Sequence, residues 1–283
     1  MKKTPLSIFF ALTIFIGQAQ EEIDIAHISD SIVADARQLY RSEMASWFGT
    51  DVFVEKSKDK SRAKGYFSYA LPNATRCIFY SNDSIPVVLG SITFDSTYNV
   101  NTAAADFAER NFSDLEKDIF LLRSKAFDII SKDTFFLQYK NTNYNIIPMI
   151  MNGERRVYIL TGTTQNGEVI FGNDYLLYFN AQNDLENKKR LHNSIIRTAY
   201  GAQPDGNDIV GGMHTHVLDD FITATDICTL MLYGKLLHWK QYTVASQKYF
   251  SFWNCESNSL VIITKEAVER INKDQQKRRK KRD

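Results

Sequence analysis

Apolar positions recur along the chain with two different periods. Ile25, Ile28, Ile32, Ala36, Leu39, Met44 and Trp47 fall at helical spacing, and Gly49 is the expected stop. Aromatic and β-branched residues then crowd the short runs 66–70, 75–80 and 87–94, which read as strands. Ser113 and Glu116 have capping-box spacing and open a helix carrying Leu115, Ile119, Leu122, Ala126, Ile129 and Ile130. Strands are predicted at 134–139, 144–151, 156–161 and 168–179, the last interrupted near Gly172-Asn173-Asp174. Residues 180–193 are polar and read as turn with a short helix, and 202–208, with Pro204-Asp205-Gly206, as a loop. A strand at 209–213 ends at His214, and Thr223 starts a helix of Ile227, Leu230, Met231, Leu236 and Leu237. Strands at 242–245, 249–253 and 260–264 precede a last helix from Lys265. The pattern predicts an α+β fold, a mixed sheet flanked by helices.

Composition narrows this picture. With 44% apolar and 13% aromatic residues over 283 positions, the chain can bury a sizeable core as one large domain or two small ones. Thirteen Gly, five Pro and three Cys exclude collagen-like and disulfide-dense classes. The organisation read from the sequence is a signal segment at 1–19, an N-terminal α+β region at 20–150, an α/β region at 151–272, and a basic disordered tail at 273–283. The N-terminal region reads either as separate or as part of the same domain. Cys77, Cys228 and Cys255 allow one disulfide, Cys228 with Cys255 first, or three buried thiols.

Charge and targeting set the surroundings. Lys2 and Lys3, the apolar run 6–16 and Gly17-Gln18-Ala19 have the layout of an export signal cleaved before Gln20. The expected location is therefore periplasmic or secreted. The apolar run reaches only about 16 Å as a helix, too short for a permanent anchor, and no later segment is long and apolar enough to span a membrane. Lys273 to Asp283 holds seven basic and two acidic residues, leaving an acidic body that is a poor surface for nucleic acid. Six consecutive basic residues, Lys277 to Arg282, are suited to contact with an anionic surface.

One constellation carries chemistry. His214 and His216 stand two apart at a strand end, so both imidazoles point to one face. Asp226, in the first turn of the next helix, can return a carboxylate to that face. Two imidazoles, one carboxylate and a water make an open tetrahedral zinc site. Thr223 and Asp226 also have the spacing of a helix cap, a role compatible with metal binding. His192, in a lysine-rich polar segment, reads as an exposed surface residue, and Asp219 and Asp220 as solvated loop groups.

His214-Thr215-His216 followed by Thr223-x-x-Asp226 resembles the JAMM (JAB/MPN-like) metallopeptidases, whose pattern is His-Ser/Thr-His-Pro and then Ser-x-x-Asp, with seven residues between the second His and the Ser. The resemblance covers roughly residues 155–265. Val217 stands in place of the Pro, Thr223 in place of the Ser, and six residues rather than seven separate His216 from Thr223. The segment Asp220 to Cys228 is also similar to one in exported bacterial proteins. The resemblance implies a JAB/MPN-like core in the C-terminal half and Zn2+ on His214, His216 and Asp226. It implies a Thr223 hydroxyl at the oxyanion and an upstream Glu as general base. Glu168 is the first candidate for that base, with Glu154 the alternative. The function so implied is an exported zinc-dependent hydrolase of amide or isopeptide bonds acting on a peptide or protein. The competing reading is a non-catalytic secreted or envelope binding module on a degenerate version of the same fold.

Overall fold

A computed structural model describes residues 24–199 and 211–279. The export signal, the loop at 202–208 and the last four tail residues lie outside the described residues. Among the described residues the architecture is α+β, with four α-helices and several sheets that are mostly antiparallel.

The first helix, α1 (Ile25–Lys56), is capped by Asp24, whose side chain accepts from the His27 amide. It runs straight through Gly49, the predicted stop. A Cβ at Gly49 would lie 2.9 Å from the Cys77 Cβ, so glycine serves there as the point where the helix closes on a strand. That strand belongs to an antiparallel sheet of β1 (Ala63–Leu71), β2 (Ala74–Ser81), β3 (Val88–Phe94) and β4 (Ala104–Asp106), in that order. Ala45, Val52 and Phe53 of α1 pack against Cys77, Phe79, Ile92 and Phe94 of this sheet.

Helix α2 (Asp114–Lys132) opens with the predicted Ser113–Glu116 capping box. The segment 134–139 forms no strand. Its backbone is satisfied by side chains instead: the Leu137 amide donates to the Tyr175 hydroxyl, and its carbonyl accepts from Tyr144 and Asn173. The second sheet has the order β5 (Thr142–Met151), β6 (Glu154–Thr163), β8 (Tyr175–Phe179) and β9 (Leu185–Arg190). Residues 150 and 151 are therefore inside β5, which forms a hairpin with β6.

The predicted interruption at Gly172-Asn173-Asp174 has a structural consequence. It separates β8 from β7 (Glu168–Gly172), and β7 leaves that sheet to pair with β10 (Ile195–Ala199). β9 fills a segment that reads as turn and β10 one to which the pattern assigns no element, and each has a single strand partner in its sheet.

The last sheet carries the site. Its order is β11 (Gly211–Thr215), β12 (Gln241–Ala245), β13 (Tyr249–Asn254) and β14 (Ser259–Thr264). β11 and β12 are parallel and are joined through α3 (Ala224–Tyr233). One core then unites both halves of the chain. Ala36 and Leu39 of α1, Ile147 and Leu160 of the second sheet, Phe171 of β7, Ile227 and Leu230 of α3, and Trp253 of β13 are all buried in it.

Helix α4 (Lys265–Arg279) extends into the stretch that reads as a disordered tail, and none of its residues is buried. The three cysteines are free and buried, so the Cys228–Cys255 pair is not formed. Among the described residues no helix is long and apolar enough to cross a membrane.

Candidate metal centre

The site begins with strand alternation. In β11 Met213 and Thr215 are exposed, while His214 and the adjoining His216 are buried on the opposite side. The β11–β12 pairing continues just past the strand, where the His216 amide donates to the Ala245 carbonyl at 2.8 Å. Both imidazoles therefore project from rigid backbone.

Asp226 is brought to them by the start of α3. Thr223 is the N-cap, and its hydroxyl accepts from the Asp226 amide at 3.2 Å. The same hydroxyl donates to Asp226 Oδ2 at 2.7 Å, and the Thr223 amide donates to that oxygen at 3.0 Å. The capping box thus fixes one carboxylate oxygen and leaves the other, Oδ1, directed at the histidines. The residue of the expected cap and the carboxylate that meets the histidines are one side chain, Asp226.

The fourth member is His192, which the sequence places on the surface. It is only 8% exposed, between β9 and β10. His192, His214, His216 and Asp226 each offer a ligand atom within 4.8 Å of the others, and all four are buried. His192 Nε2 lies 3.1 Å from Asp226 Oδ1, His214 Nε2 lies 3.5 Å from Oδ1, and His216 Nε2 lies 3.2 Å from Oδ2. The Nε2 atoms of His214 and His216 are 2.9 Å apart.

Outer contacts decide which nitrogens carry lone pairs. His216 Nδ1 is 2.7 Å from the Phe221 carbonyl, which can only accept, so Nδ1 holds the proton and Nε2 is free to coordinate. His214 Nδ1 is 3.1 Å from the Tyr242 hydroxyl, which can donate or accept, and its Nε2 faces the cluster. Both ring nitrogens of His192 and Asp226 Oδ1 are buried without a hydrogen-bond partner. Buried polar atoms are rarely left so. Three imidazoles and a carboxylate whose ligand atoms converge are a set that could hold a metal ion.

Electrostatics follow the burial. Burial pushes His214 down to about 4, more than the Asp226 charge pulls it up. Burial would also lower His192, but the Asp226 and Asp174 carboxylates outweigh it and lift the imidazole to about 9. Burial would raise Asp226, yet the His192 and His214 rings hold it well below the carboxylate range.

A cleft of about 170 Å³ opens onto the cluster, lined by His192, His214 and His216 with Phe171, Ile196 and Leu218. A wider cleft of about 770 Å³ reaches His216 from the other side of the 217–221 loop. Glu168 is not part of this assembly. Its carboxylate accepts from Thr163 Oγ1 at 2.7 Å and from Arg197 at 2.6 Å. By strand alternation it sits on the face of β7 opposite Val169 and Phe171, the residues that pack in the core beside His214. Glu154 is exposed and pairs with Arg156. Asp219 pairs with Lys189 and Asp220 with Lys248.

No known protein family matches the chain, and neither a curated protein nor a solved structure gives a significant match.

Proposed function

We propose that the protein is an exported zinc-dependent hydrolase that acts on an amide bond of a peptide or protein. The observation that carries the reading is the buried convergence of His192, His214, His216 and Asp226 with unpartnered polar atoms at the floor of a cleft. Four of the donor separations, 2.9 to 3.5 Å, lie around the value of about 3.3 Å that tetrahedral zinc with bonds near 2.0–2.1 Å requires, and all the ligand atoms lie within 4.8 Å of one another. The β11–α3–β12 unit, with histidines at a strand end and Asp226 in the first helical turn, supports the JAMM-like resemblance. Bound there, zinc would act as a Lewis acid on a carbonyl oxygen and lower the pKa of water.

The chain's own residues would do the rest. His214, His216 and Asp226 hold the ion from the β11–α3 unit, and His192 closes on it from the β9–β10 connection. Thr223 serves through Asp226, since its hydroxyl is committed to that carboxylate. With four protein donors, hydrolysis would need the ion to accept a water as well, and the cleft lined by the three histidines would admit it. The basic helix α4 would hold the protein near an anionic envelope surface.

A second reading, a metal-binding envelope module without hydrolysis, is favoured by two observations. Glu168 faces away from the cluster, and His192 adds a fourth protein donor where catalytic zinc sites use three. The test is cleavage of a mixed peptide substrate by the zinc-loaded protein, with chelator and His214→Ala as controls. Cleavage that needs both zinc and His214 supports the hydrolase. A zinc-loaded protein that cleaves nothing supports the binding module.

A further inference from the structure

We propose that Asp174 is a positioning residue of the metal centre: its carboxylate sets the ring of His192 through Nδ1, so that Nε2 is presented to the ion. The inference rests on the reading of the cluster as a metal site.

The break between β7 and β8 builds this arrangement. Gly172 adopts φ +91°, and a Cβ there would lie 2.3 Å from the Ser194 carbonyl oxygen, so only glycine allows the two segments to touch. Two backbone hydrogen bonds join them: the Asn173 amide donates to the Ser194 carbonyl at 3.0 Å, and the Leu191 amide donates to the Asp174 carbonyl at 2.9 Å. His192 is caught between these bonds. The Asp174 side chain lies beneath it, fully inside the protein. Its Oδ1 accepts from the Thr161 amide at 2.8 Å, and the Thr225 hydroxyl also supports the carboxylate. Oδ2 is 3.5 Å from His192 Nδ1.

A buried carboxylate is costly unless its charge is used. The bonds to Thr161 and Thr225 anchor Asp174 but leave Oδ2 aimed at an imidazole nitrogen that has no other partner. The opposite nitrogen of that ring is the one 3.1 Å from Asp226. The order is carboxylate, imidazole, ion position, in which an outer carboxylate fixes the tautomer and raises the ligand's basicity. Thr225 also touches the Thr223 hydroxyl at 3.0 Å, so Asp174 and Asp226 share one buried polar network.

The experiment measures zinc affinity by chelator competition for the wild-type protein, Asp174→Asn, His192→Ala and the double variant. Asparagine keeps an oxygen for the Thr161 amide, so the local fold is retained. The expected loss for Asp174→Asn is about 10- to 100-fold in zinc affinity. In the His192→Ala background the same change should cost no more than about twofold, the non-additivity expected when one residue acts through the other. Wild-type binding with an unchanged Asp174→Asn variant overturns this inference alone. An equal loss in both backgrounds overturns it too, since Asp174 would then act without His192. A wild-type protein that binds no zinc overturns the metal reading itself. A second readout does not depend on variants: nitrogen-15 NMR of the zinc-loaded protein should show His192 protonated at Nδ1 and metal-bound at Nε2. The reverse tautomer contradicts the proposal.

Discussion

Replacing Thr223 by valine preserves shape and removes one hydroxyl. That hydroxyl does two things at once. It caps α3 by accepting from the Asp226 amide, and it donates at 2.7 Å to the Asp226 carboxylate. Loss of an N-cap costs about 1 kcal/mol. A hydrogen bond to a buried charge is worth about 1.5–3 kcal/mol. Because a single oxygen serves both, the effects overlap, and the expected destabilisation is about 2–3 kcal/mol, set by the charged bond. For a chain of this size that corresponds to a fall in Tm of about 5–10 °C. The assay is urea and thermal unfolding of metal-free protein, followed by circular dichroism. Thr223→Ser keeps the hydroxyl and should stay within about 0.5 kcal/mol of wild type. A valine variant as stable as the serine variant would refute the reasoning. A serine variant as damaged as valine would refute it as well, because the methyl rather than the hydroxyl would then matter.

Three further predictions concern parts of the fold that frame the site. Gly49→Ala, which would stabilise an exposed helix, should here destabilise by about 1–3 kcal/mol in chemical unfolding, because the new methyl meets Cys77 at 2.9 Å. Asp35→Ala should cost about 3 kcal/mol by the same measurement. It removes the carboxylate that ties α1 to β6 through two bonds to Arg156 and one from the Tyr158 hydroxyl. Glu116 gives a pH dependence. Burial would raise its pKa, but Arg110 and the Ser113 amide outweigh it and lower the carboxyl from its ordinary 4.5 to about 2. The folded form thus holds the charge more readily than the unfolded chain, so this stabilisation is present above pH 4.5 and is lost as pH falls toward 2. Urea titrations across that range should show a slope that Glu116→Gln flattens.

The parts of this fold legible in the sequence are those whose signal is local. Alternating aromatic and β-branched residues mark β1, β2, β5 and β6, and the two capping boxes mark the starts of α2 and α3. His214, His216 and Asp226 were visible because strand period and helix cap each place a side chain by its own neighbours. The rest depends on distant partners. Gly49 reads as a helix stop from its own residue type, but the close approach of Cys77 gives it a reason to lie inside α1. The segment 134–139 has strand composition, yet its backbone is claimed by Tyr144, Asn173 and Tyr175. β9 reads Leu-Glu-Asn-Lys-Lys-Arg and looks like a turn, because a strand with one partner can keep its charges in solvent. His192 is the largest omission. Its neighbours apart from Leu191 are polar, and its burial follows from the bonds linking 191–194 to 172–174. The only local trace was the Gly172-Asn173-Asp174 break, which marks the place where the two segments meet.

Four side chains from three parts of the chain converge as one candidate metal centre. The most direct measurement is elemental mass spectrometry of the protein from Gln20 onward after zinc reconstitution, beside single variants His192→Ala, His214→Ala, His216→Ala and Asp226→Asn. The account predicts about one zinc per chain in the wild type, background levels in the His214, His216 and Asp226 variants, and a weakened, chelator-sensitive site in the His192 variant. No zinc in the reconstituted wild type, or equal zinc in all five proteins, would contradict it.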